Sequence, residues 1–291
     1  MYIKNLLGAD RPSISFEVFP PKADADISTI FTTIDELSTL SPDFISVTYG
    51  AGGSTSKRTV ELSRYIQSKN IPALAHLTCV SATTEEIAHT LDELAESDIT
   101  NVLALRGDIP QDSDFPCPGH FSHASDLVTT ISKRGGFCVG GACYPEGHVE
   151  CADQKADLMH LKQKVEAGCD FLITQLFFDD DCFHSFMEKL YYLDIKVPVI
   201  AGIMPITAKS QIKRMCDLSG AAVPGKLRRI LTRYEDDPVS LKEAGIMYAT
   251  EQIIDLLASG VDGIHIYTMN KSEICSKILD NIRHIRNAEH K

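Results

Sequence analysis

Eight times along the chain a short apolar run ends on a polar residue able to do chemistry, at a nearly constant pitch. The runs are SISFEVF with Glu17, DFISVTY with Thr48, PALAHLT with His76 and NVLALRGD with Arg106 and Asp108. FCVGGACY with Tyr144, DFLITQLFF with Gln175, PVIAGIMP with Pro205 and DGIHIYTM with Tyr267 continue the series. Successive ends lie 28 to 38 residues apart, until a step of 62 between Pro205 and Tyr267. A strand, a helix and their turns need about that length, and parallel strands must be joined by such crossovers. Both an open doubly wound sheet and a barrel alternate strands and helices. Eight regular units favour closure, so the expected fold is α/β, an eight-stranded (β/α)8 TIM barrel. In such a barrel the C-terminal strand ends face one pocket, which makes these nine strand-end residues candidates for a site.

Helical periodicity fills the gaps. Ala25–Leu40 places Ile27, Ile30, Phe31, Ile34, Leu37 and Leu40 on one face. Thr83–Ser97 opens TTEE, an N-cap followed by early acids. Gly168 and Gly260 terminate helices over Cys151–Gly168 and Glu243–Ser259. SPDFISVTY, AGCDFLITQ and SGVDGIHIYT form a weak internal repeat: a turn residue, an acid, then an apolar strand. Two places break the pitch. Asp108–Ser125 carries three prolines and reads as a loop over the barrel mouth. Ala208–Ser259 is too long for one helix and predicts extra helices before the last strand, with a break at Val223-Pro224-Gly225. At 291 residues the chain is expected to be a single catalytic barrel domain over 1–291.

The net charge of −12 argues against nucleic-acid or anionic-membrane binding, though not against a local basic pocket. Met1–Asp10 has no signal-peptide pattern, and no run approaches about 20 apolar residues. A cytoplasmic protein is therefore expected. Nine scattered cysteines without a CxxC pair read as reduced thiols.

Among the strand ends, Glu17 is an acid inside an apolar strand, which is costly unless it has a partner or a task. It is either paired with an Arg or Lys, or a desolvated general acid. Arg106-Gly107-Asp108 is either a salt-bridged turn, or a phosphate-binding cation beside a fixed negative charge. His76 alone is more often a satisfied core histidine than a catalyst. Cys138, Cys143, His148 and Cys151 match no common zinc spacing, and strand alternation separates them, so no metal is expected. His120 and His123 read as loop residues facing solvent. No GxGxxG, GxxxxGK[ST] or G-x-S-x-G motif occurs. Tyr144 to His148 gather polar groups after the fifth strand. Asp157 and Lys164 share a helix face, either as surface charges or as the edge of a long cofactor site.

FEVFPPK, VTYGAGGS, AHLTC, LALRGD, YPEGH, ITQLFFD, GIMPI and YTMN occur in this order. Together they resemble methylenetetrahydrofolate reductase over essentially the whole chain. The resemblance implies non-covalent FAD, and reduction of 5,10-methylenetetrahydrofolate to 5-methyltetrahydrofolate by NADH or NADPH in two alternating half-reactions. It implies Glu17 and Asp108 as catalytic residues, the first as folate-site acid and the second near the flavin. Thr48, His76, Arg106, Gly107, Asp108, Tyr144, His148, Asp157, Lys164 and Tyr267 would hold the flavin. Glu17, Gln175 and Met215 would contact the substrate. Met215 stands where bacterial members carry an aromatic, and cannot stack as one does. The glycine turn at 49–54 would let backbone approach a ligand. Relatives imply a homo-oligomer, and control through the regulatory domain of eukaryotic members is not expected. Two readings from other classes stand beside this one. They are a lyase or aldolase barrel without flavin, and a non-catalytic partner subunit.

Overall fold

Strands form where the apolar runs stand: β1 (Ser13–Val18), β2 (Phe44–Val47), β3 (Ala73–Thr78), β4 (Asn101–Leu105), β5 (Cys138–Cys143), β6 (Phe171–Thr174), β7 (Val199–Ile203) and β8 (Gly263–Tyr267). All neighbouring pairs are parallel, and β8 returns to β1, so the sheet closes as a barrel in chain order. This computed structural model describes residues 1–8, 11–21, 26–49, 56–80, 82–109 and 121–288. The glycine turn over residues 50–54, His120 and most of the predicted mouth loop fall outside them.

Helices alternate with the strands: α1 (Ser28–Ser38), α2 (Ser56–Ser68), α3 (Thr84–Glu96), α4 (Ala124–Arg134), α5 (Gln154–Glu166), α6 (Asp180–Tyr192) and α7 (Lys209–Ser219). The long step before the last strand holds α7, α8 (Gly225–Tyr234) and α9 (Pro238–Ala258), with the expected break at Pro224; α10 (Ser272–Asn281) follows β8. Thr83 and Glu86 form the capping box that TTEE predicts. Gly168 and Gly260 take φ of 122° and 81° just past α5 and α9, where a left-handed residue ends a helix.

The internal repeat has a structural cause. Asp43, Asp170 and Asp262 each stand directly before a strand. Each carboxylate accepts a backbone N–H from the preceding strand: Ile14 at 2.8 Å, Val139 at 2.9 Å and Val199 at 2.8 Å. These acids stitch the N-terminal end of the barrel, the face associated with stability rather than catalysis. An N-terminal 3-10 turn, Ile3–Asn5, closes that end. Ile3 N–H donates to Asn101 Oδ1 at 2.8 Å. Ile3 and Leu7 pack with the interior residues Phe44, Leu74, Leu103, Phe171 and Ile200.

Strand alternation sorts the remaining side chains. In β1, Ile14, Phe16 and Val18 pack outward with Ile30, Ile34 and Leu37 of α1. Ser13, Ser15 and Glu17 must then face inward. The interior is apolar at the closed end and becomes polar toward the mouth. The polar residues concentrate on the adjacent strands β8, β1, β2 and β3.

Candidate active site

Register places the polar sector at matching heights. Ser15 pairs with His265 and Glu17 with Tyr267 across β1 and β8, while Glu17 pairs with Ser46 across β1 and β2. Glu17 keeps 19% of its side chain exposed. Its Oε2 lies 3.6 Å from His76 Nε2 and 3.9 Å from His265 Nε2. Among the described residues these two histidines are its ion-pair contacts, so the pairing with Arg or Lys weighed from the sequence does not form. Burial pushes the His76 imidazole down to about 4, against the pull of Glu17, which raises it, and with His265 lowering it further. His76 is therefore neutral at pH 7, and among the described residues its buried Nε2 has no hydrogen-bond partner.

Tyr267 closes the sector. Its hydroxyl donates to the Thr174 carbonyl at 2.6 Å, and burial keeps the phenol well above its ordinary value. Gly202 makes this reach possible. A Cβ there would stand 2.4 Å from the Thr174 carbonyl oxygen and 2.7 Å from the Tyr267 hydroxyl. Gly107, at φ 88°, turns the chain between Arg106 and Asp108, a conformation other residues rarely adopt.

A cavity of about 880 Å³ occupies the mouth. It is lined by Glu17 from β1, Thr48 just after β2, His76 from β3, and Arg106, Gly107 and Asp108 after β4. Tyr144 and His148, Gln175, and Tyr267 complete the wall. A second cavity of about 410 Å³ runs between β4, β5 and α5 and shares Arg106, Tyr144 and His148 with the first. Asp157 and Lys164 line its far part. Together the two make one long groove entering the barrel mouth.

Most of the groove is tied down by its own polar contacts. Lys164 Nζ donates to the Ala142 carbonyl at 2.5 Å, and burial lowers its ammonium below the ordinary range. Asp157 accepts the His148 backbone N–H at 3.2 Å. Tyr144 meets the His148 ring edge-on with centroids 4.6 Å apart, and burial raises its phenol to about 12. Burial and the neighbouring Arg106 both lower His148. Arg106 donates both terminal nitrogens to Glu150, at 2.6 and 2.7 Å. This fork raises the guanidinium and lowers the Glu150 carboxyl. Gln175 Oε1 accepts the N–H of its neighbour Leu176 at 2.9 Å.

Of the thirteen residues that the resemblance implies for the site, ten line the mouth cavity and two more, Asp157 and Lys164, line the groove. Met215 lines neither. It packs on α7 against the cluster of Leu176, Phe178, Met204 and Ile206 beside the barrel. His123 lines the groove rather than facing open solvent, as do Ser125 and His160. Two further participants escaped the sequence reading. Glu150 holds Arg106 from a loop 44 residues away, and no local pattern announces it. His265 stands in GIHIY, where alternation alone puts it on the same inner face as Tyr267. Among the described residues, no group of three or more His, Cys, Asp or Glu is placed to hold a metal ion. No described helix is long and apolar enough to cross a membrane.

The fold is shared with solved structures of low sequence identity. One is titled an uncharacterized protein from Clostridium thermocellum that binds two copies of 5-methyl-5,6,7,8-tetrahydrofolic acid. It matches with a TM-score of 0.69 at 18% identity, over 98% of this chain and 100% of that one. Sequence similarity is more specific. The profile of the methylenetetrahydrofolate reductase family matches residues 2–283. The 5,10-methylenetetrahydrofolate reductase of Escherichia coli is 35% identical over 263 residues, 90% of this chain and 88% of that protein. Methylenetetrahydrofolate reductase (NADH) 1 of Arabidopsis thaliana is 35% identical over 294 residues, 96% of this chain and 50% of that protein. The chain thus spans about half the length of the plant relative.

Proposed function

The chain belongs to the methylenetetrahydrofolate reductase family, and from that premise we propose that it reduces 5,10-methylenetetrahydrofolate to 5-methyltetrahydrofolate with electrons from NADH or NADPH by way of non-covalent FAD. One observation carries this reading. A long groove with a cation at each part, Arg106 and Lys164, runs into a mouth where two carboxylates, Glu17 and Asp108, line the same cavity. A dinucleotide is long, anionic in the middle and aromatic at both ends, and this groove offers matching features. The ligand of the Clostridium neighbour agrees in class.

Bound flavin would supply a two-electron hydride relay between the nicotinamide and the folate methylene carbon. Thr48, His76, Arg106, Gly107, Asp108, Tyr144, His148, Asp157, Lys164 and Tyr267 would hold it. Arg106 would reach a phosphate by releasing Glu150, whose side chain is half exposed. Glu17 holds the proton that opens the methylene bridge to its reactive iminium. Asp108 places a negative charge where it attracts that cation and disfavours further negative charge nearby. Gln175 would turn its amide from its own backbone toward the folate. Met215 would reach the substrate only by leaving its apolar cluster. No strand end described here carries a lysine, which leaves a Schiff-base lyase without its nucleophile.

A spectrum of the purified full-length chain tests the reading. Added FAD should bind and give an oxidised flavin spectrum. NADH or NADPH should bleach it without oxygen, and methylenetetrahydrofolate should restore it. A protein that takes up no FAD, or whose flavin is not bleached, overturns the proposal.

A further inference from the structure

The barrel wall parts at a seam near the mouth. Between β6 and β7, register pairs Leu172 with Val199 and Ile173 with Ile200, and the pairing ends there. One more step of a parallel ladder would send the Gly202 N–H to the Thr174 carbonyl. That N–H goes instead to the Thr174 side chain, 2.8 Å from Oγ1. The two strands keep their outer partners. β6 stays paired with β5 up to Thr174 and Cys143, and the Gln175 N–H donates to the Cys143 carbonyl at 2.7 Å. β7 stays paired with β8, Gly202 with His265 and Ile203 with Ile266.

This exchange of acceptors joins two site residues. With Gly202 served by Oγ1, the Thr174 carbonyl is left for the Tyr267 hydroxyl, which donates to it at 2.6 Å. A backbone N–H only donates and a carbonyl only accepts, so the direction of both bonds is fixed. Tyr267 thus reaches from β8 across β7 to β6, passing a glycine whose Cβ would stand 2.7 Å from the phenol oxygen. Thr174 is fully buried and directly precedes Gln175. Thr174, Gln175 and Tyr267 all line the mouth cavity.

We propose that Thr174 is a positioning residue for this side of the mouth: its hydroxyl takes over the ladder bond of its own carbonyl, and the carbonyl so released latches Tyr267 to the residue before Gln175. The inference rests on the reading of Gln175 as a folate contact. Without the hydroxyl, the Gly202 N–H has the Thr174 carbonyl at hand, 2.4 Å from where a Cβ of Gly202 would stand. Regular pairing would then resume, and the phenol would lose its anchor.

Two measurements test it. The first is proton NMR of the cofactor-free full chain, isotope-labelled in tyrosine, with the Tyr267 hydroxyl assigned by the signal missing from Tyr267→Phe. In the unsubstituted protein that hydroxyl should exchange with water slowly; exchange as fast as at the exposed Tyr191 overturns the proposal. Thr174→Val keeps the shape and removes the hydroxyl. It should quicken the exchange at least about fivefold, the least that an unpaired buried polar group costs. Thr174→Ser should stay near the unsubstituted rate, and unchanged exchange in Thr174→Val overturns the proposal. The second is a double-mutant cycle on the FAD-loaded protein, reading the methylenetetrahydrofolate concentration that half-saturates reoxidation of the reduced flavin. Thr174→Val alone should raise it at least about fivefold, and Thr174→Ser should recover most of the loss. Added to Tyr267→Phe, Thr174→Val should cost less than about twofold more, because the hydroxyl it anchors is already gone. Full additivity, or a loss that Thr174→Ser shares, marks a merely structural threonine and overturns the proposal. Failure of the unsubstituted protein to bind FAD overturns the functional reading instead, and the NMR arm still decides the latch.

Discussion

His76 is 6% exposed, and burial holds its imidazole at about 4 against an ordinary 6.5. A base depressed in the folded state adds stability while it stays neutral. That stability is complete above 6.5 and drains away as the pH falls through 4, because the unfolded chain takes up the proton first. The full gap is worth about 3 kcal/mol, at about 1.4 kcal/mol for each tenfold change in proton affinity. Between pH 7.5 and 5.0 about 2 kcal/mol of it should be lost. Asp180 works in the opposite sense, since burial raises its carboxyl to about 6 and stability is regained as it protonates. The contribution of His76 is therefore read as a difference. Urea unfolding of the unsubstituted protein and of His76→Gln is measured at both pH values. The fall in unfolding free energy should be larger in the unsubstituted protein by about 2 kcal/mol. Equal falls would refute the reasoning, and would mean that the imidazole is solvated or takes its proton as a stable pair with Glu17.

Three further substitutions probe separate parts of the account. Asp108→Asn removes a negative charge from the mouth, so the bound flavin should become easier to reduce and the folate half-reaction slower; redox titration and stopped-flow read the two effects. Glu150→Gln loosens a partly exposed ion pair that a phosphate must displace. FAD affinity by fluorescence titration should therefore rise, by up to about fivefold for a contact worth up to about 1 kcal/mol. Gly245→Ala sets a Cβ 1.7 Å from the Ile206 carbonyl oxygen, where α9 crosses the end of β7. Backbone must shift, so a loss of about 1–3 kcal/mol is expected in thermal unfolding.

The barrel was legible because closure imposes a pitch, and the pitch survives in the apolar runs. Even the long step before β8 read correctly, since Pro224 and Gly225 interrupt the helical pattern where α8 begins. Strand ends were legible as a group for the same reason: closure converts their order in the chain into a ring around one mouth. Pairings across the ring were not. The Arg106–Glu150 fork joins two loops, and neither sequence carries a mark of the other. His265 was hidden between two isoleucines that look like uninterrupted core. The period of two in GIHIY and in SISFEVF carried the information, because Ser15, Glu17, His265 and Tyr267 share the inner parity. The environment of Glu17 also differs from the expectation. An acid in an apolar strand suggested a desolvated carboxyl, whereas register surrounds it with serines and histidines and leaves it partly exposed.

Glu17→Gln in the FAD-loaded protein, followed by stopped-flow through each half-reaction, tests the central assignment most directly. The substitution keeps the side chain's shape and removes its proton chemistry. Reduction by NADH or NADPH should proceed at nearly the unsubstituted rate, while oxidation by methylenetetrahydrofolate should fall by at least about a hundredfold, the lower end of what a general acid contributes. Undiminished oxidation by the folate, or an equal loss in both halves, would contradict the assignment of Glu17 as the acid of the folate step.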